Sequence, residues 1–536
     1  MELPATPDFR RLTKVYKKFF GAQPRRTAFT KLNKGITTAS QMHLAVMAAI
    51  CGTTDMQPGS IVQAVIRGGT DMASNEVFQS LISYGAEEPF WALVKQASGY
   101  SEGEDASIER MITHILLTAT TRTLRIEYLA GLDSFISTPH QAWCYDFVSE
   151  WIAEEEKPEL TEILRNVEEE LNLRKRFQQI PMENLVRTEV FPCVNECILT
   201  QLMTEISNHI INVDVITSTV EKRRTLTWYD EVKCYYEGIL QVAKMQAFFL
   251  EHSAGFHTVE ARKVWKEYTE DYYHMDTYYR QYHLAFGKSL TVGNDHLDDL
   301  FKQVTDKVEG LYTHWFLGEL GNNWSDACAD ELAQYGRVLE VPQQVDFYGQ
   351  IKDEDNRIFV IISDAFRYEV AASLAEQLRR ETQSKVALRA CAGIFPTVTK
   401  FGMAALLPHK ELTVEERSSG GLQILADGMS TEAGNRDKVL KTANRNSVAL
   451  KYTDIAPMKR AERSALVKGM DVVYIYHDKV DEASHTSDSM VFPACDDAIE
   501  EIKNIVRIIR NEFSGTRVYI TADHGFLYTY SPLSED

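Results

Sequence analysis

The stretch VYITADHGFLY, residues 518–528, sets an Asp beside a His directly after an apolar run that reads as a buried strand. Two other apolar runs end in the same way: Asp364 follows FVIIS, and the loop after VVYIYH carries Asp478, Asp481 and His485. Taken singly, an Asp before a helix is a good N-cap and Asp-His-Gly is a reasonable turn. Together they ask for more, because carboxylates gathered at one sheet edge raise one another's pKa unless a cation compensates them. Mixed nitrogen and oxygen donors suit zinc, or manganese where carboxylates dominate. Asp481 and His485 are four residues apart, so a single helical turn aims both at one ion. A nucleophile is offered by GIFPTVTKFGMAALLPH, residues 393–409, with Thr397 and Thr399 ahead of a short helix beginning near Lys400, and Pro396 fixing the turn. A hydroxyl there either caps that helix or, beside a metal, loses its proton and attacks phosphorus.

Strands alternating with helices are what would bring such residues together. From about residue 350 the texture is of this kind: strands over 357–363, 385–392, 470–477 and 516–522, with amphipathic helices between them. In the last of these helices Ile499, Ile502, Val506, Ile509 and Phe513 share a face, and Ser514 and Gly515 end it. Near-continuous apolar strands predict a sheet covered by helices on both faces, with its chemistry at the carboxyl ends of the strands. Up to about residue 345 the pattern is helical instead. Trp228, Val232, Tyr235, Ile239 and Val242 recur on one helix face, with Thr227 as N-cap and Asp230 as its reaching acid. Similar periodic segments occur around 107–133, 143–171, 185–210, 258–286 and 296–320. The aromatic tract EDYYHMDTYYRQYH, 270–283, keeps helical spacing and reads as helix packing rather than as a base-stacking surface. The expected fold class is α plus α/β, with a helical region over 1–345, in one or two subdomains, and an α/β domain over 346–536.

The 536 residues, 44% hydrophobic and 25% charged, are ordinary globular composition. A net charge of −20 does not imply a broad basic face, although a local basic groove fits within that total. The eight cysteines are scattered without a C-x-x-C pair, which fits a reducing cytoplasm. No stretch approaches the ~20 apolar residues that span a bilayer, and the N-terminus lacks the apolar run of a secretion signal. A soluble cytoplasmic protein with no membrane partner is expected.

The order Asp364, PTVT, Asp481-x-x-x-His485, Asp523-His524-Gly525 resembles the alkaline phosphatase superfamily, in particular its nucleotide pyrophosphatase/phosphodiesterase branch. VIISDAFRYEVAASLAEQL, FPTVTKFGMAALLP and YITADHGFLY look like the PglZ proteins of bacterial BREX phage-defence systems. These motifs cover residues 350–536, and the helical part is similar, in less diagnostic words, to what precedes the catalytic domain in that family. The resemblance implies an alkaline-phosphatase-like domain with two divalent metal ions, zinc or manganese. Asp364, Thr399, Asp523 and His524 would hold one, and Asp481 and His485 the other. It implies Thr399 as the catalytic nucleophile, the second hydroxyl of the P-T-x-T word, with Thr397 as the alternative register. The superfamily's course is attack by this Thr on phosphate to give a phosphothreonine, which is then hydrolysed. The family's second metal also takes a His well downstream of Asp-His-Gly, and no His follows His524. The domain is therefore expected to be truncated at its C-terminus, with one metal site incomplete.

The function implied is a metal-dependent phosphohydrolase, a phosphodiesterase by its branch, in BREX-type defence. Its implied partners are the BREX methyltransferase and ATPase, and a nucleotide or nucleic acid is the implied substrate. The competing reading is a non-catalytic assembly module that docks those partners. A sulfatase is disfavoured because no C-x-P-x-R word occurs, and a phosphoglycerate-type mutase because the nucleophile is Thr.

Overall fold

A computed structural model describes residues 4–531, apart from 33–34, 258–259, 353–356, 418–419 and 488–489. The chain forms two compact units, one of Met1–Glu205 with Thr217–Lys233, the other of Ile206–Ile216 with Cys234–Asp536.

Among its described residues the first unit is helical throughout. Its helices start where caps allow: Thr38 accepts from the Gln41 backbone while the Gln41 side chain reaches back to the Thr38 amide. Apolar stripes such as Ile61, Val62, Val65 and Ile66 are buried from the Pro58–Arg67 helix. The periodic tract around 107–133 is one helix, Ile108–Thr120, followed by short 3-10 turns. The tract around 143–171 is two helices, Gln141–Ile152 and Pro158–Glu170, with Pro158 opening the second.

The second unit is built on a four-stranded parallel sheet in the order β5-β6-β1-β7, where β1 is Ile358–Ser363, β5 Ser447–Lys451, β6 Val472–His477 and β7 Arg517–Ala522. β1 is central and buried along its whole length, which is why its sequence is unbroken apolar rather than alternating. Phe359 and Ile361 face one layer, with Val370, Leu374, Ile499, Ile502 and Ile509 from the helices Tyr368–Glu381 and Val491–Asn511. Ile358, Val360 and Ile362 face the other, with Met403, Leu406, Val439 and Leu440. The expected two-sided covering is thus what forms, and the fold is α plus α/β. An antiparallel meander also appears, β2 Leu412–Glu416, β3 Leu422–Ala426 and β4 Met429–Ser430. Asp427 and Gly428, both at positive φ, make the two-residue turn between its last two strands.

The expected strand over 385–392 does not form: the only pairing there is an isolated bridge between Ala392 and Gln343. Alternating apolar residues supply a face, but a strand also needs a neighbour's backbone. A cleft of about 440 Å³, lined by Val386, Leu388, Val518 and Ile520, separates this segment from β7.

Helices after Cys234 pack in the same unit as the sheet. Tyr273–Ser289 contributes Arg280, fully buried, whose Nε donates to Glu369 Oε1 at 2.8 Å on the Tyr368–Glu381 helix.

Candidate metal centre

Parallel pairing of β1 with β7 in the register Ser363↔Ala522 ends the two strands level, so Asp364 and Asp523 leave the sheet side by side. Asp364 does not cap the following helix, which begins at Tyr368 with Arg367 at its N-cap. The chain turns instead at Ala365, a non-glycine residue at φ 56°, whose amide donates to Asp523 Oδ1 at 3.1 Å. A left-handed non-glycine residue costs on the order of 1 kcal/mol or more and persists where its surroundings over-determine it.

His524 Nε2 lies 3.5 Å from Asp364 Oδ1 and 3.5 Å from Asp523 Oδ2. It also lies 3.1 Å from Thr399 Oγ1. The ligand atoms of Asp364, Asp523 and His524 all fall within 4.8 Å of one another. Donors around a tetrahedral ion at ~2.0–2.2 Å sit roughly 3.3–3.6 Å apart, a spacing that the two 3.5 Å separations from His524 match. Asp364 Oδ1 and Asp523 Oδ2 are also the only buried carboxylate oxygens among the described residues without a hydrogen-bond partner. Asp523 is 1% exposed and Asp364 7%. Burial pushes the Asp364 carboxyl above its ordinary range, and the negative charges of Asp523 and then Asp481 push it further. Burial also raises Asp523, against the pull of His524 and the Ala365 amide. Two orphaned, mutually repelling oxygens facing an imidazole nitrogen and a hydroxyl fit a divalent metal with mixed donors.

Thr399 opens the helix Thr399–Ala405, but the N-cap position is Val398 and no side chain caps it. The hydroxyl is therefore directed to His524 rather than spent on a cap. Thr397 is exposed and lines a cavity that also touches Asp523 and His524. Asp481 and His485 share the Lys479–Thr486 helix and approach each other at 3.4 Å, His485 being 79% exposed at its side chain. They form a pair but do not join the Asp364 cluster within its 4.8 Å span.

Several supporting residues carry no catalytic signature in the sequence. Gln344, 3% exposed, donates from Nε2 to the carbonyls of Ala522 at 3.0 Å and Asp523 at 2.6 Å, while its Oε1 accepts from the Ile394 amide at 3.1 Å. It ties the end of β7 to the segment leading to Thr399. Gly402 brings the Thr399 helix against the Asp523 backbone, where a Cβ would run into the Asp523 carbonyl. A glycine inside the helical word TKFGMAALL was the available signal. Behind Asp364, His477 at the end of β6 has Nδ1 2.9 Å from Ser363 Oγ and Nε2 2.9 Å from Glu501 Oε2. The guanidinium of Arg367 stacks over Phe526, 4.8 Å from its centroid, fixing the chain just after His524.

Residues 346–536 match the family model described as the BREX system PglZ alkaline phosphatase-like domain. The chain is 28% identical, over 99% of its own length and 62% of the relative's, to the "Alkaline phosphatase-like protein PglZ" of Bacillus cereus (strain H3081.97). It is 29% identical, over 84% of its length and 53% of the relative's, to the "Alkaline phosphatase-like protein BrxZ" of Escherichia coli O9:H4 (strain HS). The chain thus spans between half and two thirds of the length of these curated relatives. The parallel sheet and the level strand ends that gather Asp364, Asp523 and His524 thus lie within the residues that match this alkaline phosphatase-like family model, and both relatives share similarity that extends into the helical region.

Proposed function

We propose that this chain is a metal-dependent phosphohydrolase acting on phosphodiesters in a BREX-type defence system, with Thr399 as its nucleophile. The observation that carries the reading is the gathering of Asp364, Asp523 and His524 around two orphaned carboxylate oxygens, with the Thr399 hydroxyl 3.1 Å from His524. Asp364, Asp523, His524 and Thr399 would hold one divalent ion, and Asp481 with His485 would contribute to a second. Such ions, zinc by the donor set or manganese, supply charge compensation and Lewis-acid polarisation of a phosphoryl oxygen. Thr399 Oγ1 is the attacking oxygen, placed at the start of a helix whose close approach to Asp523 depends on Gly402. Gln344 and Ala365 hold Asp523 from its two sides, so the ligand is oriented before any substrate arrives. Residues 346–536 form the proposed catalytic domain and residues 1–345 the helical region. The proposed partners are the methyltransferase and ATPase of the same system, in the cytoplasm.

Turnover of bis-p-nitrophenyl phosphate and p-nitrophenyl phosphate, measured with metal content on the same samples, tests this. Thr399→Ala is expected to lower diester hydrolysis by at least about three orders of magnitude while the protein stays folded. Thr399→Ser retains an attacking hydroxyl and is expected to recover a large part of the rate, whereas Thr397→Ala should leave it near native. Undiminished hydrolysis in Thr399→Ala would remove this residue from the nucleophile's role.

A further inference from the structure

The first compact unit holds a charge pattern unrelated to the strand-end site. In a chain with 57 Lys and Arg against 77 Asp and Glu, residues 7–32 carry eight cations, Arg10, Arg11, Lys14, Lys17, Lys18, Arg25, Arg26 and Lys31, against the single carboxylate of Asp8. Three helices, Pro7–Val15, Lys17–Phe20 and Gln23–Leu32, present them. One side of these helices is spent on the core, since Phe9, Leu12, Tyr16, Phe19, Phe29 and Leu32 are all buried. Arg10 and Lys14, four residues apart on the first of these helices, share a side and are exposed, as is Lys17, which opens the next helix. None of the eight forms an ion pair among the described residues. The polar bonds they do make are neutral: Lys18 to Ser83 Oγ, Arg25 to the carbonyls of Phe19 and Lys18, Arg26 to Gln23 and the Phe20 carbonyl. Lys18 and Arg25 also stand over the ring of Tyr84, 5.7 and 4.6 Å from its centroid.

We propose that this face, centred on Arg10, Lys14 and Lys17, binds the phosphate backbone of double-stranded nucleic acid. Unpaired like charges brought together repel one another, and a polyanion relieves that repulsion. The partner class follows from what the face lacks. Membrane-surface helices insert an apolar stripe, but here that stripe is buried in the domain and Val15 is the one exposed large apolar side chain on these helices. Protein interfaces have an apolar, aromatic centre depleted in charge, whereas these helices leave four Arg and four Lys unburied with one exposed large apolar residue, Val15, beside them. Arg10 and Lys14 lie roughly 6 Å apart along their helix at ~1.5 Å per residue, a length over which a duplex presents several phosphates, and Lys17 extends the exposed charge onto the next helix. The inference is independent of the phosphohydrolase reading, because no residue of the strand-end site takes part in it.

Fluorescence anisotropy with a labelled 20-base-pair duplex of arbitrary sequence tests this, using the full chain in a Thr399→Ala background so that hydrolysis cannot intervene. The variant Arg10→Gln/Lys14→Gln/Lys17→Gln is compared with Lys410→Gln/Lys438→Gln/Lys468→Gln, which removes equal charge at other exposed positions. The first is expected to bind about tenfold or more weakly at low salt, and to show a log K against log salt slope shallower by about 2.7, or about 0.9 for each phosphate it no longer neutralises. The second should bind like the parent, and both should keep the parent's melting temperature. Equal weakening by the two variants would reduce the effect to net charge and overturn the proposal. So would a parent chain that does not bind the duplex, or one that binds phosphatidylserine vesicles or polyglutamate more tightly than the duplex at the same salt.

Discussion

Two buried charge clusters lie in the sheet-containing unit, and they differ in whether they close on themselves. In the first, Glu369 accepts from Arg280 at 2.8 Å and from Arg367 at 2.9 Å, and Arg280 reaches Asp496 at 2.6 Å. Asp276 takes the hydroxyls of Tyr268 and Tyr312 on its two oxygens, each at 2.6 Å. Every carboxylate in this group has its donors. In the second, Asp364 and Asp523 stand together with one oxygen each unpartnered, and no guanidinium or ammonium pairs with either among the described residues. Burying charge is tolerable when geometry and hydrogen bonds repay the desolvation. The first cluster repays it internally and so reads as architecture. The second leaves two oxygens unpartnered and has only the imidazole of His524, 3.5 Å from each carboxylate, facing them, which is the arrangement the proposed ligand site rests on.

The sharpest way to break this comparison is to remove one carboxylate from each cluster. Asp523→Ala is expected to abolish metal binding at the Asp364 site and phosphodiester hydrolysis with little loss of stability in chelator, because it relieves like-charge repulsion in the metal-free protein. Glu369→Gln leaves two buried guanidiniums short of a partner, and should cost about 3–5 kcal/mol of stability while the folded fraction keeps its metal. Urea midpoints and metal content by atomic emission separate the two outcomes. If Glu369→Gln lost metal at unchanged stability, or Asp523→Ala kept a full complement, the division between architecture and ligand site would fail.

A smaller effect sharpens the comparison through backbone contact. Gly402→Ala forces a Cβ into the Asp523 carbonyl. Since backbone cannot swing aside as a flexible side chain can, a cost of about 1–3 kcal/mol is expected, with lowered kcat because Thr399 is displaced from His524. Gly287→Ala, on the Tyr273–Ser289 helix that carries Arg280, meets nothing within 4 Å. It should stabilise by about 0.5–1 kcal/mol through helix propensity and leave kcat unchanged. Melting temperature and diester turnover on both variants decide it, and a silent Gly402→Ala would show that the helix approach is not needed for the site.

The strand-end residues were legible in the sequence because local pattern and chemistry coincide there. An apolar run ending in Asp is visible in a short window, and parallel strands of equal length bring such endings level without further information. The segment 385–392 failed for the converse reason. Its alternation of Val386, Leu388 and Ala390 is that of a strand, but pairing is a property of two segments, and a cleft lies between this one and β7. Gln344, Arg280 and Glu369 were illegible because their partners are remote: Gln344 meets Asp523 across 179 positions and Arg280 meets Glu369 across 89. The change of texture near residue 345 likewise records secondary structure, whereas packing places the helices after Cys234 with the sheet.

The smallest predicted effect is the pH response of the closed cluster. Burial alone would push the Glu369 carboxyl up, but the guanidiniums of Arg280 and Arg367 outweigh it and hold the group below its ordinary range. A carboxylate whose folded-state pKa lies below its unfolded one adds stability that is fully present above the unfolded value, about 4.3. That stability is lost as pH falls from there through the folded value, because the unfolded chain takes up the proton first. The stability gap between the native chain and Glu369→Gln should therefore be flat around neutrality and narrow progressively below about pH 4.3. Urea denaturation of both proteins across that range measures the gap directly. A gap that stayed constant into acid would mean that Arg280 and Arg367 do not hold Glu369 ionised, and that this cluster is not the self-neutralised counterpart of the strand-end site.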